Sequence, residues 1–455
     1  MMKNLSEKII VRVFAAVILL TAACKPELKE LNFDNKGADF SKYVALGSSY
    51  TAGYQNNALF DAGQQQSFAA ILANQFKLVG GGDFKQPLVP GNYGAGFNFY
   101  LKTYIPQLNL NYGLTCNGTN DFRTGNAAVT DITAIENYIG GEAPFNNMGV
   151  PGMKATDLDN ADFGSLDLQL SKNPFYSRFA TIPENSTVLT DATRQLPTFF
   201  TFWVGMNDIF DCAMAGYNQT LATITPLVTF QNAVVNALTS LTAENRQGAV
   251  ANIPDILDLP YFSAIPYDAL VLTQEQADTM NLLYASNVPA IHFAAGRNAM
   301  VISDTLTLPS MKRQLNPDEL VLLSVPFDSI YCAGWGSNTQ KPLGNRFVLT
   351  TNEINTIRQA INSYNSFLKT KAAENNLAYV DIYSLFKNLK NGITFNGVKL
   401  TNEFLKGNFF SLDGITPTGK GSAVIANEFI KAINEKYGAQ IPYADVNNYT
   451  GTIFP

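Results

Sequence analysis

The sequence contains one histidine, His292, in 455 residues. No Cys-x-x-Cys pair or Cys/His cluster accompanies it, so a zinc site has no ligands and neither metal nor cofactor is expected. Charge is also scarce. Asp, Glu, Lys and Arg make up 15% of the chain, against about 25% in typical globular proteins. The net charge is -6 and there is no long basic run, which argues against nucleic-acid binding. Beyond the N-terminal region no stretch approaches the roughly 18 consecutive apolar residues of a membrane-spanning helix. Cysteine is rare, with four residues. Cys24 lies near the N-terminus, leaving Cys116, Cys212 and Cys332. An odd number of remaining thiols permits one disulfide at most and leaves a spare. The reading favoured for all three is a buried, apolar cysteine.

What is present is apolar and aromatic. Hydrophobic residues are 46% of the chain, with 31 Phe, 20 Tyr and 33 Gly. The length is ample for a large core and on a length prior could hold two or three domains. This composition suits a folded, neutral-faced extracytoplasmic protein. The N-terminus fits that compartment. Lys3, Lys8 and Arg12 precede a short apolar run over 13–20, followed by Thr21-Ala22-Ala23-Cys24. The run is too short to span a bilayer, and the small residues before Cys24 resemble a bacterial lipobox. The expectation is a signal peptide over 1–23, lipid on Cys24, a tether over 24–40 and a globular part over 41–455. The alternative is an ordinary cleaved signal.

Past the tether, strand-like and helix-like segments alternate. Apolar runs at 43–46, 198–204, 248–253 and 377–382 read as buried strands. Thr350 and Glu353 form a capping-box pattern ahead of Ile354, Ile357, Ile361, Tyr364 and Leu368 at helical spacing. Thr273 and Gln276 open another helix. A last helix is expected over about 420–437, stopped by Gly438. The fold class is therefore α/β, a three-layer α/β/α sandwich on a mostly parallel sheet. Two long insertions, at about 80–142 and 254–344, break the rhythm. Both read as functional loops or lids lying over or beside the site with no core of their own, too irregular for a second sheet.

Four short blocks carry the chemistry. They are Gly47-Ser48-Ser49-Tyr50-Thr51-Ala52-Gly53, Asn147-Met148-Gly149-Val150-Pro151-Gly152, Gly205-Met206-Asn207-Asp208 and Asp413-Gly414-Ile415-Thr416-Pro417. Together and in this order they resemble the SGNH/GDSL hydrolase family over roughly 43–437. The stretch 409–433 resembles the lipoprotein branch of that family in the Bacteroidetes. Acyl transfer from an ester needs a nucleophile, a base and donors for the developing oxyanion. The resemblance implies that Ser49 is the nucleophile, that its own N–H, the Gly152 N–H and the Asn207 amide form the oxyanion hole, and that Asp413 orients the base. Read from the residues alone, Ser49 could be a helix cap, Gly152 and Asn207 turn residues, and Asp413 a turn carboxylate.

The departure from the family lies at the base. In its Asp-x-x-His pattern the histidine takes the serine proton. Here Thr416 stands in that place, and a threonine hydroxyl has no useful pKa near 7. Ser48 likewise replaces the aspartate that usually precedes the nucleophile. His292 is read as a packed, hydrogen-bonded histidine, with a substitute base as the alternative.

The expected function is a lipid-anchored SGNH/GDSL-type esterase or acylhydrolase with impaired catalysis, acting on acyl or acetyl esters of lipids or glycans. The alternative is a non-catalytic ligand-binding or outer-membrane accessory lipoprotein. Location in the cell envelope, as an outer-membrane lipoprotein either periplasmic or surface-exposed, follows from the N-terminus. The expected partners are an ester ligand, the membrane through Cys24 and an outer-membrane protein.

Overall fold

The apolar runs read above as strands lie side by side in one parallel sheet. In a computed structural model describing residues 33–99, 101–167 and 173–455, the strands are β1 (Tyr43–Gly47), β2 (Asn147–Gly149), β3 (Phe199–Trp203), β4 (Gln247–Ala251) and β5 (Ala378–Val380). Their order is β5-β4-β3-β1-β2, and all four pairings are parallel. The signal segment, Cys24 and the start of the tether lie outside the described residues. From Asp34 onward the described chain forms one compact unit.

A sheet covered on both faces needs apolar side chains in both directions. β3, with the sequence Phe-Phe-Thr-Phe-Trp, supplies them and is buried throughout. One face meets the helices Phe68–Lys77 and Gly419–Tyr437. Phe199 lies edge-on to Phe76 and to Tyr437, while Trp203 meets Phe68 at 5.4 Å and Phe429 at 6.1 Å. On the other face the helices Leu227–Leu241 and Thr351–Glu374 pack through Phe230 stacked on Tyr364 at 3.9 Å. Fully burying one such aromatic contributes roughly 1.5–3 kcal/mol. The expected α/β sandwich on a parallel sheet is the observed one.

Local signals hold as well. Both Thr350 N–H and Oγ1 donate to Glu353 at 2.8 Å, and the five expected residues after them are buried. β2 was not among the expected strands. It has three residues, two of them Asn and Gly, too short and too polar for an apolar-run signal.

The insertions depart further from expectation. The first holds two antiparallel hairpins, Ala95–Asn98 with Thr103–Pro106 and Leu108–Leu114 with Asn120–Asn126. The second builds a hydrophobic cluster separate from the main core, around Ile265, Ile291, Phe293, Met300, Val301 and Leu343. It thus has a core of its own within the single unit. Its apolar residues come from short hairpins and turns, so they show no regular period in sequence.

The cysteines also need correction. Cys116, in the turn of the longer hairpin, is disulfide-bonded to Cys332 in the second insertion, 216 residues away. Only Cys212 is the free, buried cysteine expected.

Candidate active site at the sheet's C-terminal edge

In an open parallel sheet, sites form beyond the carboxyl ends of the strands. β1, β2 and β3 each end there in one of the four blocks. After β1 the chain turns sharply. A Cβ on Gly47 would stand 2.8 Å from the Trp203 carbonyl oxygen and 2.0 Å from Thr51 Oγ1, so no side chain fits. Ser49 then opens the short helix Ser49–Ala52 and is half-buried. Among the described residues its hydroxyl has no hydrogen-bond partner.

The fourth block is bonded directly to the first. Asn56 N–H donates to Ser411 Oγ at 3.0 Å, Asn57 N–H to Asp413 Oδ2 at 3.0 Å, and Tyr50 Oη to the Ile415 carbonyl at 2.6 Å. Asp413 accepts four hydrogen bonds. Ile415 and Thr416 N–H both donate to Oδ1 at 2.8 Å; Thr416 Oγ1 donates to Oδ2 at 2.5 Å, beside Asn57. A carboxylate has about four lone-pair sites, so this one is saturated. Thr416 Oγ1 also lies 3.0 Å from Ser411 Oγ, and both Asp413 and Thr416 are buried. Burial, and then the charge on Asp413, push the Tyr50 and Tyr54 hydroxyls well above the usual tyrosine range.

The second block is held to β1 by Val150 N–H donating to the Gly47 carbonyl at 2.9 Å, and by Asn147 Nδ2 donating to that of Thr51 at 2.9 Å. Gly152 has φ +79, in the left-handed region that favours glycine. A Cβ there would point into the Phe99 ring at 2.4 Å. Phe99 meets Phe97 edge-on at 5.2 Å, so an aromatic wall rises beside the Gly152 turn.

Asn207 opens the helix Asn207–Met214 and is 9% exposed. Its Nδ2 donates to Asp211 Oδ1 at 3.3 Å, and Lys154 Nζ pairs with Asp211 Oδ2 at 3.3 Å. Ala155 N–H donates to Asp208 Oδ2, and Lys154 N–H to Asp157 Oδ2, each at 2.8 Å. The Asn207 helix and the segment after the Gly152 turn are therefore tied together by Lys154 and two carboxyls, Asp208 and Asp211, while Asp157 caps its own turn. Burial pushes Asp157 and Asp208 up to about 6 each, against the pull of backbone N–H donors. Burial raises Asp211 too, opposed by Lys154.

Ser49, Gly152, Asn207, Asp413 and Thr416 thus sit on blocks joined by direct hydrogen bonds at one sheet edge. His292 does not join them. It lies in the second insertion between buried Ile291 and Phe293, with its own side chain exposed. Its backbone exchanges hydrogen bonds with Gln314. The expected packing of the imidazole is not found. The residues missed in sequence are Asn57, Ser411, Phe99 and the Lys154–Asp157–Asp208–Asp211 group. Only the Asn207–Asp211 spacing of four on a helix offered a signal.

The model of the GDSL-like lipase/acylhydrolase family matches residues 43–429. The chain belongs to that family. Among solved structures it is similar to a putative GDSL-like lipase from Parabacteroides merdae, at 10% identity and a TM-score of 0.34, covering 89% of this chain and 98% of that one. It is also similar to a gut microbial diltiazem-metabolizing enzyme, at 11% identity and a TM-score of 0.30, covering 87% and 47%. No curated protein matches it.

Proposed function

We propose that this is a lipid-anchored member of the family that recognises acyl or acetyl esters of lipids or glycans and hydrolyses them poorly. The observation that carries the reading is the Thr416 hydroxyl on Asp413 Oδ2 at 2.5 Å. In this reading Ser49 is the nucleophile, and Gly152 with Asn207 supplies oxyanion donors. Asp413 is the acid member, and Thr416 fills the base position. A serine hydroxyl without a base is a weak nucleophile. With one triad member missing, oxyanion donors and binding alone give about 10³–10⁴-fold acceleration over water. The Phe97–Phe99 wall beside Gly152 suits an acyl group.

Cell-envelope location through lipid on Cys24, in the lipoprotein branch of the family, belongs to the same proposal. It is supported by the Thr-Ala-Ala-Cys sequence. Among the described residues no helix is long and apolar enough to cross a membrane. The second reading, a binding protein with an outer-membrane partner, is favoured by the saturation of Asp413. Steady-state hydrolysis of p-nitrophenyl acetate by the wild type and by Ser49→Ala separates the two. Slow turnover abolished in the variant supports a weak esterase; equal background rates support binding alone.

A further inference from the structure

A sizeable cavity lies away from Ser49. It has a volume of about 860 Å³ and none of the four blocks lines it. That volume lies within the roughly 300–1,000 Å³ typical of small-molecule sites. Its walls come from four stretches far apart in sequence: the hairpin Leu108–Leu114/Asn120–Asn126, the second insertion, residues 390–406, and Phe454. Two links clamp the hairpin to the second insertion, the Cys116–Cys332 disulfide and the Arg123–Asp328 ion pair. The cavity is thus a built space between anchored walls.

Its lining combines two chemistries. Phe122, Phe327, Tyr331, Phe404 and Phe454 are aromatic. Phe327 and Tyr331 are parallel at 6.3 Å, and Phe122 meets Phe454 at 5.0 Å. The same lining carries Asn117, Asp121, Asn402, Glu403 and Lys406. Among the described residues the Glu403 carboxylate and the Lys406 ammonium have no partner and are exposed. The other two cations are already committed, Arg123 to Asp328 and Lys390 to Asp258.

A sugar ring presents C–H groups on its faces and hydroxyls around its rim. Aromatic π-faces carry partial negative charge and attract those C–H groups. Carboxylates and amides accept and donate to hydroxyls at the rim. An acyl chain gains nothing from the Glu403 and Asp121 carboxylates, whereas hydroxyl groups can donate to them. A phosphorylated ligand meets two carboxylates and one uncommitted lysine. We infer that this cavity binds a neutral oligosaccharide, at a site separate from the one that holds Ser49. The disulfide keeps its two main walls in register. This assignment stands whether or not Ser49 hydrolyses esters.

The test is calorimetric titration of the intact globular chain with cellohexaose, xylohexaose, mannohexaose and N-acetylchitohexaose. At least one should bind, and Tyr331→Ala and Glu403→Gln should each weaken it about tenfold or more. Both positions are exposed, so folding should survive, as checked by unchanged thermal unfolding. Absence of binding by all four sugars at millimolar concentration overturns the proposal. So does binding that neither substitution changes.

Discussion

The Thr416 hydroxyl donates to Asp413 Oδ2 at 2.5 Å. Asn57 N–H shares that oxygen at 3.0 Å, and Oδ1 is filled by two backbone donors. All four hydrogen bonds that hold the carboxylate come from Asn57, Ile415 and Thr416; under the proposed function, a base at position 416 is what the site lacks.

Thr416→His should therefore raise the hydrolysis of p-nitrophenyl acetate, by roughly 10²–10⁴-fold if the imidazole reaches Ser49. Ser49→Ala should abolish the gain. No gain in a correctly folded Thr416→His variant would favour the binding-protein reading.

Thr416→Ala removes one of four donors to a buried charge. A hydrogen bond to a charged group contributes about 1.5–3 kcal/mol, so unfolding free energy should fall by that order. Denaturant titration measures it; an unchanged midpoint would show the contact is not formed.

His292→Ala should leave any activity intact, because the imidazole is exposed in the second insertion. A loss of turnover with retained stability would make His292 the base after all.

Asp208 gives a pH signature. Its folded-state value of about 6 lies above the ordinary 3.8. The folded state therefore holds this proton more tightly than the unfolded chain. Its stabilising contribution is complete below 3.8 and is lost as pH rises through 6. The gap corresponds to about 3 kcal/mol. Asp208→Asn keeps an acceptor for Ala155 N–H without the charge. Its Tm advantage over the wild type should grow from pH 5 to pH 8; a pH-independent difference would contradict the assignment.

Cys24→Ser should move the protein from the membrane to the soluble fraction in its native host. Mass spectrometry finding an intact, unmodified N-terminus would refute lipid anchoring.

Much of the fold was legible because β1, β3, β4 and β5 are short, apolar and bounded, and because Thr350 and Glu353 mark a helix start chemically. The blocks around Ser49, Gly152, Asn207 and Asp413 stood out through their resemblance to the SGNH/GDSL family, while the residues alone left cap and turn readings open. β2 was hidden by its brevity. The second core was hidden because its apolar residues follow no period. The Cys116–Cys332 bond was hidden because three thiols allow three pairings and sequence alone does not choose. The links between blocks, such as Ala155 to Asp208, depend on backbone donors that every residue carries.

Oxidised, this polypeptide is topologically a ring with two tails, closed between Cys116 and Cys332. Gly152 and Asn207 ride on the ring; Ser49 lies on the leading tail and Asp413 on the trailing one. The candidate site exists only where both tails dock on the ring. An opening that peels off either tail would dismantle it while leaving β2, β3 and β4 joined within one covalent circle.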